Sequence, residues 1–288
     1  MTAPLHLVAT DMDGTFLAPV TSIGHANGVV SDRSVKMVAA LKDADIVFCI
    51  ATGRPAPALQ EHVDRIGLPL PCICFNGAAV LTMAPGVPPT PLHLRPLSAD
   101  ALAVIFAFAD SEDVCCSYSL VDRAVARCKS EAHADLLAEY MRLEGVEQAV
   151  VPSCAELSTL PPPLKVVLLT AEPDALAVRA RAALGAAAHV VSAEMHIEFL
   201  PPGVHKGSAL EWLCEQQGLS LSSVASFGDN HNDIEMLKAS GLGVAMANAK
   251  AEVQAAADLT LEWSNADDGV ARQCELLLAE GRLRARGQ

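Results

Sequence analysis

The chain is 288 residues long, 51% of its residues are hydrophobic, and its formal net charge is -14. The apolar content excludes a disordered chain, and the length favours two domains. The acidic charge excludes a large face for nucleic acid, because such binding depends on clustered Lys and Arg. The longest apolar run, Ala101–Ala109, is too short to cross a bilayer. We therefore expect a cytoplasmic protein with neither nucleic acid nor membrane as a partner.

The nine cysteines include no Cys-x-x-Cys pair, and the first residues, Met1–Pro4, lack the basic region of a signal peptide. These features favour a reducing compartment, where free cysteines act as small buried hydrophobic residues. The sequence predicts neither a disulfide nor a thiol function.

The first third of the chain alternates short apolar runs with segments of helical pattern. The apolar runs predict buried strands over 5–10, 46–51 and 72–75. Ser31 is placed to cap a helix from Asp32 to about Lys42. Strands that alternate with helices indicate an α/β fold with a doubly wound parallel sheet, a Rossmann-like core.

A proline-rich stretch over 84–96 interrupts this rhythm and is predicted to be a linker. The region beyond it mixes helices with pairs of strands. Its clearest elements are a strand over 164–170 and a helix over 172–184, which begins at Pro173. This middle region is typical of an α+β domain that is distinct from the first.

After Pro201-Pro202-Gly203 the first pattern resumes, with strands predicted over 224–227 and 242–246. Both ends of the chain therefore form one core domain, and an α+β cap domain is inserted between them, as exposed loops tolerate. The predicted limits are 1–83 and 199–288 for the core and 84–198 for the cap.

Polar residues follow three of the predicted core strands directly. They are Asp11-Met12-Asp13-Gly14-Thr15, Thr52-Gly53-Arg54 and Gly228-Asp229-Asn230-His231-Asn232-Asp233. Open parallel sheets bind ligands beyond this edge of their strands. Acids gathered there would repel one another, and a hard divalent cation with oxygen ligands relieves the repulsion. The sequence therefore predicts a Mg²⁺ site at this edge.

Three charged residues suit the chemistry of phosphoryl transfer. Asp11, with a reference pKa of about 3.9, is expected to attack phosphorus as a carboxylate and form an aspartyl-phosphate. Asp13, two residues later, is expected to protonate the leaving oxygen and then to activate water. Lys206, at the predicted start of a helix, is expected to stabilise the developing charge on the phosphoryl group.

The remaining polar residues have predicted roles in binding. The Thr52 hydroxyl and the Gly53 backbone N–H are expected to donate to a phosphoryl oxygen, and Asn232 to donate to the phosphate. Asp229 is a predicted direct metal ligand, and Asp233 is expected to bind the ion directly or through water.

Each motif taken alone has a plainer interpretation. Asp13-Gly14 is common in turns, Asn232 or Asp233 suits a helix cap, and a single Lys206 would ordinarily lie on the surface. The case depends on their joint placement at strand ends and a helix start. No P-loop is present, and Gly241-Leu242-Gly243 lacks the third glycine of a dinucleotide site.

With these motifs in place, the chain resembles the haloacid dehalogenase superfamily of phosphohydrolases, in its Cof-like sugar-phosphatase branch with a type IIB cap. The resemblance rests on the three strand-end motifs above and on the stretch Glu198–Gly207, which carries Lys206. It implies Mg²⁺ held by Asp11, the backbone carbonyl of Asp13, and Asp229. Arg54, in the second motif, and Asn76, in Phe75-Asn76-Gly77-Ala78, are expected to bind phosphate or substrate.

The predicted function is Mg²⁺-dependent hydrolysis of small phosphomonoesters, such as sugar phosphates, by a monomer or homodimer. Two alternatives stay open: a phosphotransferase or mutase acting on sugar phosphates, and a catalytically idle phosphate-binding protein of the same fold. The cap resembles the family only weakly. Its polar residues Tyr118, Arg123 and His133 are interpreted as surface or packing residues, so the sequence does not name the substrate.

Overall fold

The computed structural model describes residues 4–19, 28–193 and 195–287. Contacts between Cα atoms divide the chain into two units. The first unit comprises Met1–Gly53, Leu59–Leu92 and His205–Gln288, and the second unit comprises Arg54–Ala58 and His93–Val204. The contact units do not test the predicted domain limits at 83/84 and 198/199, which stay predictions.

The secondary structure is numbered along the chain. The strands are β1 (Leu7–Thr10), β2 (Val47–Ala51), β3 (Leu70–Cys74), β4 (Ala79–Ala84), β5 (Val87–Leu94), β6 (Cys115–Ser119), β7 (Ala124–Arg127), β8 (Gln148–Val151), β9 (Lys165–Leu169), β10 (His189–Ala193), β11 (His196–Leu200), β12 (Val224–Gly228), β13 (Leu242–Ala245) and β14 (Leu259–Thr260). The helices are α1 (Asp32–Asp43), α2 (Gln60–Ile66), α3 (Ala99–Ser111), α4 (Glu131–Glu144), α5 (Cys154–Leu157), α6 (Pro173–Leu184), α7 (Lys206–Gln216), α8 (Ile234–Ala239), α9 (Ala251–Ala256) and α10 (Gly269–Ala279).

The first unit contains a sheet of order β14-β13-β12-β1-β2-β3-β4-β5. The strands from β14 to β3 pair in parallel, and β4 pairs antiparallel with β3. All four residues of β1 are buried, as expected for a parallel strand covered on both faces. Thr10 pairs with Phe227 and with Ile50, so the ends of β1, β12 and β2 lie side by side. The predicted doubly wound α/β core is confirmed.

Residues 84–96 were predicted to be a linker. The boundary between the two contact units falls inside this stretch, after Leu92, but β5 occupies most of it. β5 lies at the edge of the sheet, where a strand has one side without a hydrogen-bonded neighbour. Proline has no N–H to donate and is tolerated at that position, and it also blocks pairing with another chain. The prolines therefore mark an edge strand here.

The predicted cap of α1 is confirmed, since the Ser31 hydroxyl accepts a hydrogen bond from Ser34 N–H at 3.0 Å.

The second unit contains a sheet of order β10-β11-β9-β6-β7-β8, antiparallel except between β7 and β8. One hydrophobic cluster joins this sheet to residues of α3, α5 and α6, and another joins it to residues of α4. The unit is therefore α+β, as predicted. None of the helices in the described ranges is both long enough and apolar enough to cross a bilayer.

Candidate active site

Three carboxylates from two distant parts of the sequence meet in the first unit. Oxygens of Asp11, Asp229 and Asp233 lie within 4.8 Å of one another. Asp11 follows β1 directly, and its N–H donates to the Phe227 carbonyl at 2.9 Å, which extends the pairing of β1 with β12 by one residue. Asp229 follows β12 directly. The parallel pairing of the two strands therefore brings the two acids to the same edge.

A buried lysine lies between two of these carboxylates. Lys206 Nζ donates to Asp11 Oδ1 at 2.5 Å and to Asp233 Oδ1 at 2.7 Å, and the lysine is 0% exposed. Burial alone would lower the pKa of Lys206, but the charge of Asp11, followed by that of Asp233, outweighs burial and raises the pKa above its ordinary value. The lysine is therefore a fixed positive charge beside Asp11.

Burial has the opposite effect on the pKa of the acids. It raises the pKa of Asp11 well above its ordinary value, and Asp233 adds to the rise while Lys206 opposes it. Burial also raises the pKa of Asp229. In the ionised state the three carboxylates would carry three negative charges against the single positive charge of Lys206. An oxygen donor set with uncompensated negative charge fits a hard divalent cation such as Mg²⁺.

Asp229 and Asp233 are held differently. Asp229 Oδ1 accepts a hydrogen bond from Thr15 Oγ1 at 2.7 Å. Both oxygens of Asp233 accept hydrogen bonds: Oδ1 accepts from Lys206, and Oδ2 accepts from the backbone N–H groups of Asp229 and Asn230, each at 3.0 Å. Asp233 therefore organises both the loop after β12 and the lysine.

A glycine permits the approach of Asp229 to the turn after β1. Gly14 has φ +73°, and a Cβ atom built on it would lie 2.5 Å from Asp229 Oδ2. Any other residue would be strained by its backbone conformation and would displace the carboxylate. The glycine of Asp-x-Asp-Gly-Thr is thus required by the space that Asp229 occupies.

The predicted phosphate-binding residues at the ends of β2 and β3 are joined to the loop after β12. Thr52 O accepts a hydrogen bond from Asn76 N–H at 3.0 Å, and Asn76 Oδ1 accepts one from Asn232 Nδ2 at 2.9 Å. A Cβ atom built on Gly53 would lie 3.1 Å from the Asn76 amide. These four residues form a second polar group in the first unit.

Two predicted residues differ from the others in exposure or in contact unit. Asp13 lies in the turn after β1 and is exposed, while Asp11 beside it is buried. Arg54 belongs to the second unit, whereas the other predicted site residues belong to the first. The role of Arg54 in binding phosphate or substrate stays a prediction.

The residue that caps the helix bearing the lysine was not predicted from the sequence. His205 Nδ1 accepts a hydrogen bond from Ser208 N–H at 3.1 Å, and Ser208 Oγ accepts one from His205 N–H at 3.2 Å. Histidine is not among the usual capping residues, so the sequence did not indicate a helix cap at this position. The only sequence signal was Ser208, three residues after the cap. His205 sets the first turn of α7 and thereby the position of Lys206.

Replacing His205 with Ala is expected to lower the free energy of unfolding by about 1 kcal/mol, the usual cost of losing a helix cap. His205→Asn should retain most of the stability, because the Asn side chain also accepts a hydrogen bond at this position. Urea denaturation of the two variants checks the prediction. Equal losses in both would contradict a capping role.

Comparison with known proteins agrees with this geometry. A family model described as haloacid dehalogenase-like hydrolase matches residues 8–273. The HMP-PP phosphatase of Escherichia coli O157:H7 is 30% identical over 252 residues, covering 86% of each chain. The 5-amino-6-(5-phospho-D-ribitylamino)uracil phosphatase YitU of Bacillus subtilis is 26% identical over 273 residues, covering 93% of this chain and 95% of YitU.

Two solved structures share the fold over nearly the whole chain. TM0651 from Thermotoga maritima superposes with a TM-score of 0.80 at 24% identity, covering 94% of this chain and 97% of that one. The HAD subclass IIB sugar phosphatase BT4131 superposes with a TM-score of 0.75 at 20% identity, covering 96% of this chain and 99% of that one. At these identities the two structures support the fold.

Proposed function

Since the chain belongs to the haloacid dehalogenase-like hydrolase family and is a phosphoric monoester hydrolase, we propose that it hydrolyses small phosphomonoesters with Mg²⁺, through an aspartyl-phosphate on Asp11. The observation that carries the proposal is the contact of Asp11 with Lys206 beside Asp229 and Asp233. A buried carboxylate next to a fixed cation is suited to attack an anionic centre, because the cation offsets part of the repulsion.

In the first step an Asp11 carboxylate oxygen attacks phosphorus and the bond from phosphorus to the ester oxygen breaks. Asp13 gives its proton to the departing oxygen, so the alcohol leaves neutral. In the second step Asp13 takes a proton from water, the water oxygen attacks the phosphoaspartate, and inorganic phosphate and the Asp11 carboxylate are released. The exposure of Asp13 suits a group that exchanges protons with substrate and water.

The metal would be held by Asp11, Asp229 and the Asp13 carbonyl, and its charge would offset the negative charge of the phosphoryl group and of the Asp11 carboxylate. Both oxygens of Asp233 already accept hydrogen bonds. We therefore assign Asp233 to a contact with the ion through a bridging water, in place of direct coordination. Its part in the mechanism is then to hold Lys206 in place.

The second polar group supplies donors to the phosphoryl oxygens. We assign Thr52 Oγ1, Gly53 N–H and the Asn232 amide to this role, with Asn76 fixing the orientation of Asn232 through their 2.9 Å hydrogen bond. Arg54 stays a predicted phosphate- or substrate-binding residue. Donors fixed before the reaction stabilise charge without the cost of reorganisation.

The substrate class is a small phosphorylated metabolite. The two curated relatives are named for different phosphorylated compounds, HMP-PP and 5-amino-6-(5-phospho-D-ribitylamino)uracil. The shared chemistry therefore lies in the phosphoryl group, and the remainder of the substrate differs among relatives.

A cytoplasmic location and a monomeric or homodimeric state stay predictions. Analysis of products in the presence of a sugar acceptor separates hydrolysis from phosphoryl transfer to the sugar.

Removal of divalent metal is expected to lower the rate of phosphate release from p-nitrophenyl phosphate by about 100-fold or more, since the ion contributes several kcal/mol of charge stabilisation. Dialysis against EDTA followed by addition of Mg²⁺ measures the loss and its recovery. In parallel, Mg²⁺ should raise the melting temperature of the wild type and not that of Asp229→Asn. Full turnover in EDTA would contradict the assignment of the metal.

A further inference from the structure

The second unit carries cysteines on both faces of its sheet. Cys115 and Cys116 are consecutive in β6, so their side chains point to opposite faces. Cys116 pairs with Arg127 of β7, which places Cys115 opposite Cys128, and their Sγ atoms are 3.4 Å apart. Cys154 belongs to the same hydrophobic cluster as Cys116, and the two thiols are joined by a hydrogen bond. The sheet therefore has one thiol pair on each face.

The environment of Cys154 differs from that of an inert buried cysteine. Arg127 is 0% exposed, and its Nε donates to Cys154 Sγ at 3.3 Å. The other guanidinium nitrogens are fixed by the Val114 carbonyl at 2.7 Å and by Asp110 Oδ1 at 3.0 Å. The positive charge thus cannot turn away from the sulfur, and a thiolate is the form of cysteine that such a contact stabilises.

The acidity of the thiols agrees with this geometry. A hydrogen bond from Cys116, followed by the hydrogen bond and charge of Arg127, outweighs burial and lowers the pKa of Cys154 to about 6. By contrast, burial raises the pKa of Cys115, and it does the same for Cys274 in the first unit. Cys154 is therefore largely a thiolate at neutral pH, while Cys115 and Cys274 stay protonated.

We propose that Cys154 is a thiol-modification site, which a small peroxide oxidises to a sulfenic acid and which Cys116 then resolves as a disulfide. The Cys154 sulfur attacks one peroxide oxygen, the O–O bond breaks, and the departing hydroxide takes up a proton to become water. The Cys116 sulfur next displaces hydroxide from the sulfenic sulfur and loses its own proton. In sum, two thiols and one hydrogen peroxide give one disulfide and two waters.

The site is selective by size. Cys154 is 7% exposed and Cys116 is 0% exposed, so a reagent of the size of hydrogen peroxide reaches the sulfur more readily than a bulky aromatic disulfide. Cys154 lies at the first residue of α5, beside the cap formed by Ser153. This proposal is independent of the phosphatase chemistry, because all of its residues lie in the second unit.

The test treats the folded full-length chain with hydrogen peroxide at pH 7, blocks remaining thiols, and identifies the products by peptide mass spectrometry. We expect a Cys116–Cys154 disulfide. Cys116→Ala should leave a sulfenic acid at Cys154 that dimedone captures, and Cys154→Ala should give neither product. Cys274→Ala, a matched change of a buried cysteine in the first unit, should leave the disulfide unchanged.

Two results would overturn the proposal. One is that Cys154 stays reduced in the folded chain and is oxidised only in urea. The other is that peroxide links Cys115 to Cys128 while Cys154 remains open to alkylation. As a second measurement, the rate of alkylation of Cys154 by iodoacetamide should reach half of its plateau near pH 6, which makes the thiol about 300-fold more acidic than an ordinary cysteine with its pKa of about 8.5. A midpoint near that of free cysteine would count against the thiolate.

Discussion

Replacing Asp11 with Asn is expected to lower kcat by about 10⁴-fold or more, the scale of loss when a covalent nucleophile is removed. The amide keeps the shape of the side chain but cannot attack phosphorus. It also removes one negative charge next to Lys206, which still contacts Asp233 at 2.7 Å. We therefore expect the variant to fold, and phosphate release from p-nitrophenyl phosphate measures its activity. Turnover within 10-fold of the wild type would exclude Asp11 as the nucleophile.

The covalent intermediate gives a second measurement of the same prediction. Acid quenching of the wild type during turnover should yield a phosphorylated chain whose label is removed by hydroxylamine, as for an acyl phosphate. Asp11→Asn should carry no label. Asp13→Asn should carry more label than the wild type with a substrate whose leaving group needs no proton, because the water that hydrolyses the intermediate then lacks its base.

Sequence reasoning located the acids at the strand ends because the relevant signals are local. The apolar run that ends at Thr10 is followed directly by an acid, the run that ends at Phe227 is followed by Gly228 and then by an acid, and parallel strands end at one edge. Lys206 was predicted in another way, from its position at the start of a predicted helix and from the resemblance to the family. Its contacts with Asp11 and Asp233 join residues 195 and 27 positions apart, which no local pattern contains.

What the sequence could not predict depends on burial and on neighbours in space. The reference pKa of Asp11 does not account for burial, which raises the pKa of this carboxyl in the fold. The free cysteines were interpreted together as small hydrophobic residues, because Arg127, 27 positions from Cys154, is not visible as its neighbour in the sequence. Likewise, the prolines of β5 indicated a linker until the sheet order placed that strand at an edge.

Replacing Lys206 with Met is expected to reduce both activity and stability. The change keeps an unbranched side chain of similar length and removes the charge that offsets Asp11 and Asp233. Removing one partner of a buried ion pair costs about 3–5 kcal/mol of unfolding free energy. The loss of the cation beside the phosphoryl group should lower kcat by about 100-fold or more. Lys238→Met, at an exposed position of α8, is the matched control and should change neither quantity.

The pH dependence separates this explanation from a simple packing defect. Without Lys206 nothing opposes the rise that burial causes in the pKa of Asp11, so the folded variant binds a proton more tightly than the unfolded chain. Such a group stabilises the fold at low pH, and the contribution is lost as pH rises through the pKa of the folded state. In EDTA, Lys206→Met should therefore lose less stability at pH 5 than at pH 7, measured by urea denaturation. Mg²⁺ should restore part of the stability at pH 7, since the ion replaces the missing positive charge. A loss that is equal at both pH values and insensitive to Mg²⁺ would show that the lysine acts through packing alone.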